Sequence, residues 1–395
     1  KCFPSILEAI GCTPMVHLKN ISEIYNIPCK LYAKCEYLNP LGSVKDRIGY
    51  RMVIEAEAKG LIRAGSTIIE ATSGNTGIGI AAACAVKGYR CIIVIPEKMS
   101  DEKINVMKAL GAEIHRTPTS ASFDNPNSNI RVAQRLKSEI PNSFILDQYR
   151  NCYNPIAHYD STAEEIISQC EGKPDCIVIG AGTGGTITGI ARKIKEKVPS
   201  CKIVGVDPVG SSLAVPSDLN TDEGKFYEVE GVGYDFIPTV LDRSCVDHWM
   251  KSNDLQAFSM AREVIKREAL LVGGSSGSAL YCGIELAKNM QKDQICVVIL
   301  ADSIRNYMTK YLNDDWMIER GFLSPKISNL FSGLLSQKVN VLKFEKILAL
   351  HSDDSLSKAF EYMEENGFKF PIPVVEEDNQ LSSSGSREFK GCINI

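Results

Sequence analysis

Asp175-Cys176-Ile177-Val178-Ile179-Gly180-Ala181-Gly182-Thr183-Gly184-Gly185-Thr186 reads as a buried strand, a glycine turn and the start of a helix. The apolar run at 176–179 has the length and composition of a strand covered on both faces. It breaks at Gly180, and an amphipathic pattern resumes through Ile190, Ile194 and Lys197. A strand feeding a helix through a tight turn is the unit of a parallel α/β sheet. At such a helix start the first N–H groups lack acceptors, and glycines let an anion come close to them. Thr183 and Thr186 add hydroxyl donors.

The same unit recurs earlier in the chain. Residues 67–71 (Thr-Ile-Ile-Glu-Ala) read as a strand, followed by Thr72-Ser73-Gly74-Asn75-Thr76-Gly77 and an alanine-rich helix to Val86. Hydroxyls and free N–H groups at that start suit a carboxylate, although an ordinary Ser/Thr/Asn cap explains the motif equally well in isolation. Residues 91–95, 143–146 and 202–206 read as further strands; Ser100 opens a helix that Gly111 ends. The alternation predicts an α/β fold of two doubly wound, parallel-sheet lobes, with a smaller lobe at about 40–150. A ligand would lie between the lobes at the C-terminal strand ends.

Gly42-Ser43-Val44-Lys45-Asp46-Arg47 opens another helix, over residues 43–60, with Val44, Ile48, Met52 and Ile54 as an imperfect apolar face. Ser43 is the predicted N-cap, with Asp46 completing a capping-box-like pair. Lys45 then falls in the first turn, where the helix dipole disfavours a cation by roughly 0.3–1 kcal/mol. That position suits an amine that must be neutral and nucleophilic. A solvated lysine beside an acidic neighbour is the plainer reading of Lys45 alone. Together, a Schiff-base-forming amine, a carboxylate site and a phosphate cradle fit a pyridoxal phosphate (PLP) enzyme.

Two other chemistries use parts of the same pattern. Gly180-x-Gly182-x-x-Gly185, with Asp207 after the next strand, satisfies the spacing of a dinucleotide site. It leaves Lys45 and the 72–77 turn without a purpose. Gly273-Gly274-Ser275-Ser276-Gly277 contains G-x-S-x-G between a short predicted strand (270–272) and a helix (278–290), with Asp302 and His351 following in a hydrolase's order. His351 falls in a separate C-terminal module, and a tightly packed glycine-serine turn is the simpler account.

Taken in order, 43–47, 72–77, Leu146-Asp147-Gln148-Tyr149, 182–186 and 274–277 resemble fold-type II PLP enzymes of the cysteine synthase and cystathionine β-synthase family, over about residues 4–322. Within it, residues 147–151, 230–238 and 303–308, with the C-terminal extension, resemble the cystathionine-forming members more than the O-acetylserine sulfhydrylases. The resemblance implies that Lys45 bonds the cofactor, Asn75 meets its phenolic oxygen and Ser275 faces its pyridine nitrogen. Gly182, Thr183, Gly184, Gly185 and Thr186 would hold its phosphate. Thr72, Ser73, Asn75, Thr76 and Gln148 would bind the amino acid carboxylate, with Tyr149, Gly231 and Tyr234 near the reacting substrate. The implied enzyme is a carbon–oxygen lyase condensing L-serine with L-homocysteine to L-cystathionine and water, and releasing hydrogen sulfide when L-cysteine replaces serine. Cysteine synthase is the alternative, and a silent ligand-sensing relative is disfavoured by intact Lys45 and Ser275. A serine cannot hold the pyridine nitrogen protonated as an aspartate does, which favours β-elimination over transamination. The resemblance also implies a homodimer.

Composition narrows the setting. The 395 residues carry a net charge of −4 without a long basic run, which argues against nucleic acid or an anionic membrane as partner. Fourteen cysteines are scattered through predicted strands and helices, as buried free thiols are, so the reading is cytoplasmic. No C-x-x-C or H-x-x-x-H spacing marks a metal site. The chain begins at Lys1, which implies upstream residues; some family members bind haem there. Cys2 and His17 do not match that place, so haem is not supported by the residues present. We divide the chain into a catalytic core (1–323), a Ser- and Pro-containing linker (324–338) and a C-terminal module (339–395). The module resembles the first part of a CBS (Bateman) motif: a helix from Ser355 with Leu356, Ala359, Phe360 and Met363 on one face, a strand at 373–375 and a run at 391–395. Without a second repeat, an intact S-adenosylmethionine pocket is not expected. Residues 382–386 (Ser-Ser-Ser-Gly-Ser) read as a loop or an added sequence.

Overall fold

Strands of three to seven residues, most of them apolar at their centres and alternating with helices, assemble into two separate sheets. The structure is a computed structural model that describes residues 2–72, 74–97, 99–119, 121 and 125–324, and the backbone of 350–351, 372–377 and 387–393. The chain divides into two units, Lys1–Ser324 and Pro325–Ile395. In the first unit the strands are β1 (Met15–His17), β2 (Lys30–Cys35), β3 (Thr67–Ala71), β4 (Arg90–Pro96) and β5 (Glu113–Thr117). They continue with β6 (Ser143–Ile145), β7 (Cys176–Gly180), β8 (Lys202–Pro208), β9 (His248–Ser252) and β10 (Ile295–Leu300).

The smaller lobe carries an all-parallel sheet in the order β5-β4-β3-β6. The larger carries β1-β2-β10-β7-β8-β9. This second sheet departs from the all-parallel expectation at one edge, where β1 runs antiparallel to β2. The predicted strand at 270–272 also does not form; Val272 makes an isolated bridge to Ser303, and the helix begins at Gly274. Each sheet is covered on both faces. Ile177, Ile179, Ile190 and Ile203 share one core of the larger lobe, and Ile48, Met52, Ile68, Ile80 and Ile93 one core of the smaller.

The helix Lys45–Ala58 packs in the smaller lobe against the helix Asn75–Lys87. Their axes approach through paired glycines. A Cβ on Gly49 would lie 2.6 Å from the Gly79 carbonyl carbon, and one on Gly79 would lie 2.8 Å from the Lys45 carbonyl oxygen. The crossing therefore sets where Lys45 stands. Its helix start is also tied to the end of β10: the Val44 N–H donates to the Ala301 carbonyl at 2.8 Å, and the Ser303 N–H to the Gly42 carbonyl at 3.1 Å.

A buried ion cluster fastens this helix to the larger lobe. Arg47 donates to both oxygens of Glu36, at 2.7 and 2.8 Å, and to both of Glu165, at 2.7 and 2.8 Å. Lys34 completes the cluster at 2.7 Å from Glu165. Burial would raise the carboxyls of Glu36 and Glu165, but Arg47 and Lys34 reverse this, bringing Glu165 down to about 2.

The second unit contains β11 (Leu350–His351), β12 (Ile372–Glu377) and β13 (Arg387–Ile393), with β11 parallel and β13 antiparallel to β12. The helix expected after Ser355, the 382–386 loop and the linker beyond Ser324 lie outside the described residues.

Three outcomes follow from these contacts. Gly79→Ala overpacks the helix crossing and lowers stability by about 1–3 kcal/mol in urea denaturation. Arg47→Met leaves the buried Glu36 carboxylate without its ion-pair partner and Glu165 with Lys34 alone, and costs about 3–5 kcal/mol by the same measurement. Because the Glu165 carboxyl lies below its unfolded value of 4.5, its stabilisation is complete above that pH and is lost as pH falls towards about 2. The melting temperature of the parent protein should drop across that window.

Candidate active site

Three helices begin immediately after a glycine, and all three starts meet one cleft. Gly74 precedes Asn75–Lys87, Gly184 precedes Gly185–Lys197, and Gly273 precedes Gly274–Ala287. None has a side-chain cap, because glycine has no side chain to supply one. Their first N–H groups and the positive ends of three helix dipoles are left for a ligand. The cleft is lined by Lys45, Asn75, Thr76, Gln148, Thr183, Gly231, Tyr234 and Ser275. Eight residues singled out from the sequence are thus gathered from segments up to 230 positions apart. Val44, Lys103, Ala301 and Asp302 complete the lining.

Lys45 is the first residue of its helix, but the Ser43 capping box is not formed as predicted. Ser43 accepts the Lys45 N–H at 3.1 Å and donates to Asp46, whose other oxygen takes the Leu41 N–H at 2.7 Å. Burial lowers the Lys45 pKa to about 8; Asp302 opposes the shift and Lys103 adds to it. Desolvation, rather than the dipole field expected from its helix position, is thus the leading cause.

The remaining predicted residues serve around the cleft. Gly182 lets the chain pass the Gly231 carbonyl, which would be 2.6 Å from an added Cβ. Gly184 packs on Leu241 and Gly185 on Asn154, where a Cβ would collide. Thr183 accepts from Asn154 at 3.1 Å, and Thr186 meets Nε2 of His158 at 3.2 Å. Burial holds His158 neutral, at about 3, with Arg47 adding to the effect. Thr72 caps the turn by accepting the Gly74 N–H at 3.1 Å. Thr76 donates to Gln148 at 2.7 Å, and Gln148 donates to the Ala71 carbonyl at 2.9 Å. Ser73 lies outside the described residues. Tyr149 lines not this cleft but the adjoining cavity, which shares Gly231 and Tyr234 with it. There the Tyr149, Tyr234 and Phe236 rings pack edge to face or tilted, with centroids 5.2–5.5 Å apart.

Sequence reasoning passed over several participants. Lys103 crosses between lobes to Glu230 at 2.8 Å and Tyr307 at 3.0 Å. Burial would raise the Glu230 carboxyl, yet Lys103 and Lys310 bring it below its ordinary value. Glu70, at the end of β3, accepts the N–H groups of Asp147 and Gln148, each at 2.9 Å. Glu230 and Tyr307 lie in stretches the sequence had flagged without roles; nothing local marks Lys103.

The rival readings lose their residues. Asp207 is buried and pairs with Lys251 at 2.6 Å and the Ala214 N–H at 3.1 Å, so it is spent on the fold. Ser275 and Ser276 open a helix, and Oδ2 of Asp302 accepts from Asn75 and Tyr307 rather than from a histidine. All thirteen described cysteines are free. Among the described residues no cluster of His, Cys, Asp or Glu could hold a metal, and no helix is long and apolar enough to cross a membrane.

Comparison with known proteins agrees with this geometry. Residues 6–302 match the family model described as pyridoxal-phosphate dependent enzyme. The chain is 56% identical over 381 residues to cystathionine beta-synthase of Mus musculus, covering 96% of this chain and 68% of that protein. A hydrogen sulfide-producing enzyme from Fusobacterium nucleatum has a solved structure with TM-score 0.73 and 38% identity, covering 78% of this chain and all of that one. An O-acetylserine dependent cystathionine beta-synthase from Helicobacter pylori gives TM-score 0.72 and 36% identity, with 78% and 98% covered.

The lowered Lys45 pKa has a measurable consequence. Only the free amine can bond a carbonyl, so the rate at which the cofactor-free protein takes up PLP should rise with pH to a midpoint near about 8. A midpoint at the ordinary lysine value would contradict the buried environment.

Proposed function

The chain belongs to the pyridoxal-phosphate dependent enzymes, in the cystathionine beta-synthase family, and from that premise we propose that the cleft around Lys45 performs β-replacement on L-serine. L-Homocysteine is the sulfur nucleophile; L-cystathionine and water are the products, which makes the enzyme a carbon–oxygen lyase. The observation that carries the reading is the convergence of three glycine-capped helix starts on one amine.

The donor set fits PLP. Uncapped N–H groups after Gly184, with Thr183 and Thr186, suit a phosphate; Ser275 suits the ring nitrogen and Asn75 the ring oxygen. The cofactor supplies an electron sink for the bonds at the substrate Cα. The chain's own groups do the rest. Lys45, its pKa lowered by burial to about 8, takes the Cα proton as the free amine and later returns it. Thr72, Ser73, Asn75, Thr76 and Gln148 hold the amino acid carboxylate beside the Asn75 helix start. Tyr149, Gly231 and Tyr234 flank the second substrate in the adjoining cavity. In balance, the serine Cβ–O bond breaks, a Cβ–S bond forms, and hydroxide leaves with the thiol proton as water. With L-cysteine in place of serine its Cβ–S bond breaks instead, and the sulfur leaves with the homocysteine thiol proton as hydrogen sulfide.

We assign a homodimer and a reducing, cytoplasmic setting to the chain, and no haem ligand to Cys2 or His17. Residues 324–338 are assigned as a linker and 339–395 as a CBS-motif module.

Lys45→Ala should lower cystathionine formation from serine and homocysteine at least about 10²-fold, the scale of general-base loss. Retained turnover would overturn the assignment. Because the Helicobacter pylori relative is described as O-acetylserine dependent, the parent protein should be assayed with both activated substrates. Faster reaction of O-acetylserine with sulfide than of serine with homocysteine would make it a cysteine synthase instead.

A further inference from the structure

Asn75 has different partners at the two ends of its amide. Its Nδ2 donates to Oδ2 of Asp302 at 2.8 Å, and its Oδ1 accepts from Nδ2 of Asn306 at 3.0 Å. The first contact fixes the orientation. Oδ2 of Asp302 also takes the Tyr307 hydroxyl, so it receives two donors, as only an acceptor oxygen can. The carboxylate is itself immobile: Tyr307 is held by Lys103 at 3.0 Å, and Lys103 by Glu230 at 2.8 Å. Behind it, Oδ1 lies 1.9 Å from where a Cβ on Gly273 would stand, so the carboxylate presses on bare backbone.

An amide nitrogen carries two hydrogens. One is given to Asp302; the second remains, on a side chain that lines the cleft with Lys45 and Ser275. The carbonyl end is turned to Asn306. Asn75 therefore offers the cleft a donor, which suits an electron-rich oxygen and repels another donor.

We propose that Asp302 and Asn306 are positioning residues that lock the Asn75 amide with its nitrogen toward the cleft, matching it to the anionic ring oxygen of the cofactor. The proposal rests on the PLP reading above and goes beyond it by naming what orients the contact.

The test is the resting absorption spectrum of the PLP-loaded protein, together with PLP release on ultrafiltration. A donor at the ring oxygen favours the long-wavelength visible band over the near-ultraviolet one. Asn306→Asp replaces a donor by an acceptor and draws the Asn75 hydrogens away from the cleft. The ratio of the two bands should fall about tenfold, the scale of one hydrogen bond to a charged group, and PLP should be released faster. Asn306→Ser, which removes the donor without adding charge, should shift the ratio the same way by less. In an Asn75→Ala background, Asn306→Asp should cause no further change. A ratio within about twofold of the parent, or an equal shift in that background, overturns the proposal and leaves the PLP reading standing. If Asn306→Asp fails to fold, Asn306→Ser decides by the same two comparisons. A parent protein with no visible band after PLP addition overturns the functional reading and this proposal with it.

Discussion

The Arg47 guanidinium, shared between Glu36 and Glu165, is the interaction on which the site depends. Arg47 sits two residues after Lys45 on a helix packed in the smaller lobe, while Glu36 follows β2 and Glu165 lies on the helix Ala163–Gln169 of the larger. One planar cation thus fastens the helix that carries the amine to the sheet opposite. Removing two carboxylates and a guanidinium from water is costly, and the cost is recovered only if the geometry is near ideal. Five donors distributed over four carboxylate oxygens, Ser161 and Thr13 meet that condition. The cluster therefore tolerates little displacement, and neither does Lys45.

The cleft adds a second electrostatic layer. Three helix starts without side-chain caps create a region favourable to negative charge, which suits a phosphate and a carboxylate together. The same surroundings disfavour a cation, and burial lowers the Lys45 pKa to about 8. An anion-binding pocket and an amine of lowered pKa thus lie side by side, the first from N–H groups directed inward and the second from burial. Lys103 is instead paired with Glu230 at 2.8 Å, so the two lysines of the cleft stand in different environments.

Much of this was legible along the chain. The strand at 176–180, the turn to Thr186 and the following helix were readable because strand, turn and helix signals act over a few residues. The cleft residues Lys45, Asn75, Thr76, Gln148, Thr183, Gly231, Tyr234 and Ser275 were found as motif members, and the fold brings them together. Less legible were details that depend on neighbours. Ser43 and Asp46 turned their box toward Leu41, the predicted strand at 270–272 became a single bridge, and β1 joined its sheet antiparallel.

By itself the sequence determined the alternation of strands and helices, the glycines that begin three helices, and the lysine in the first turn of another. Each is a local property, set by backbone freedom, periodicity and side-chain type. Tertiary structure alone decided which groups meet across the lobes. Arg47 reaches Glu165 over 118 positions, Lys103 reaches Glu230 over 127, and Asn75 reaches Asp302 over 227. No periodicity links residues so far apart. Their contacts arise from how two sheets stack and where two glycines let helices cross; those contacts set the direction of the Asn75 amide, and the burial that comes with them lowers the Lys45 pKa.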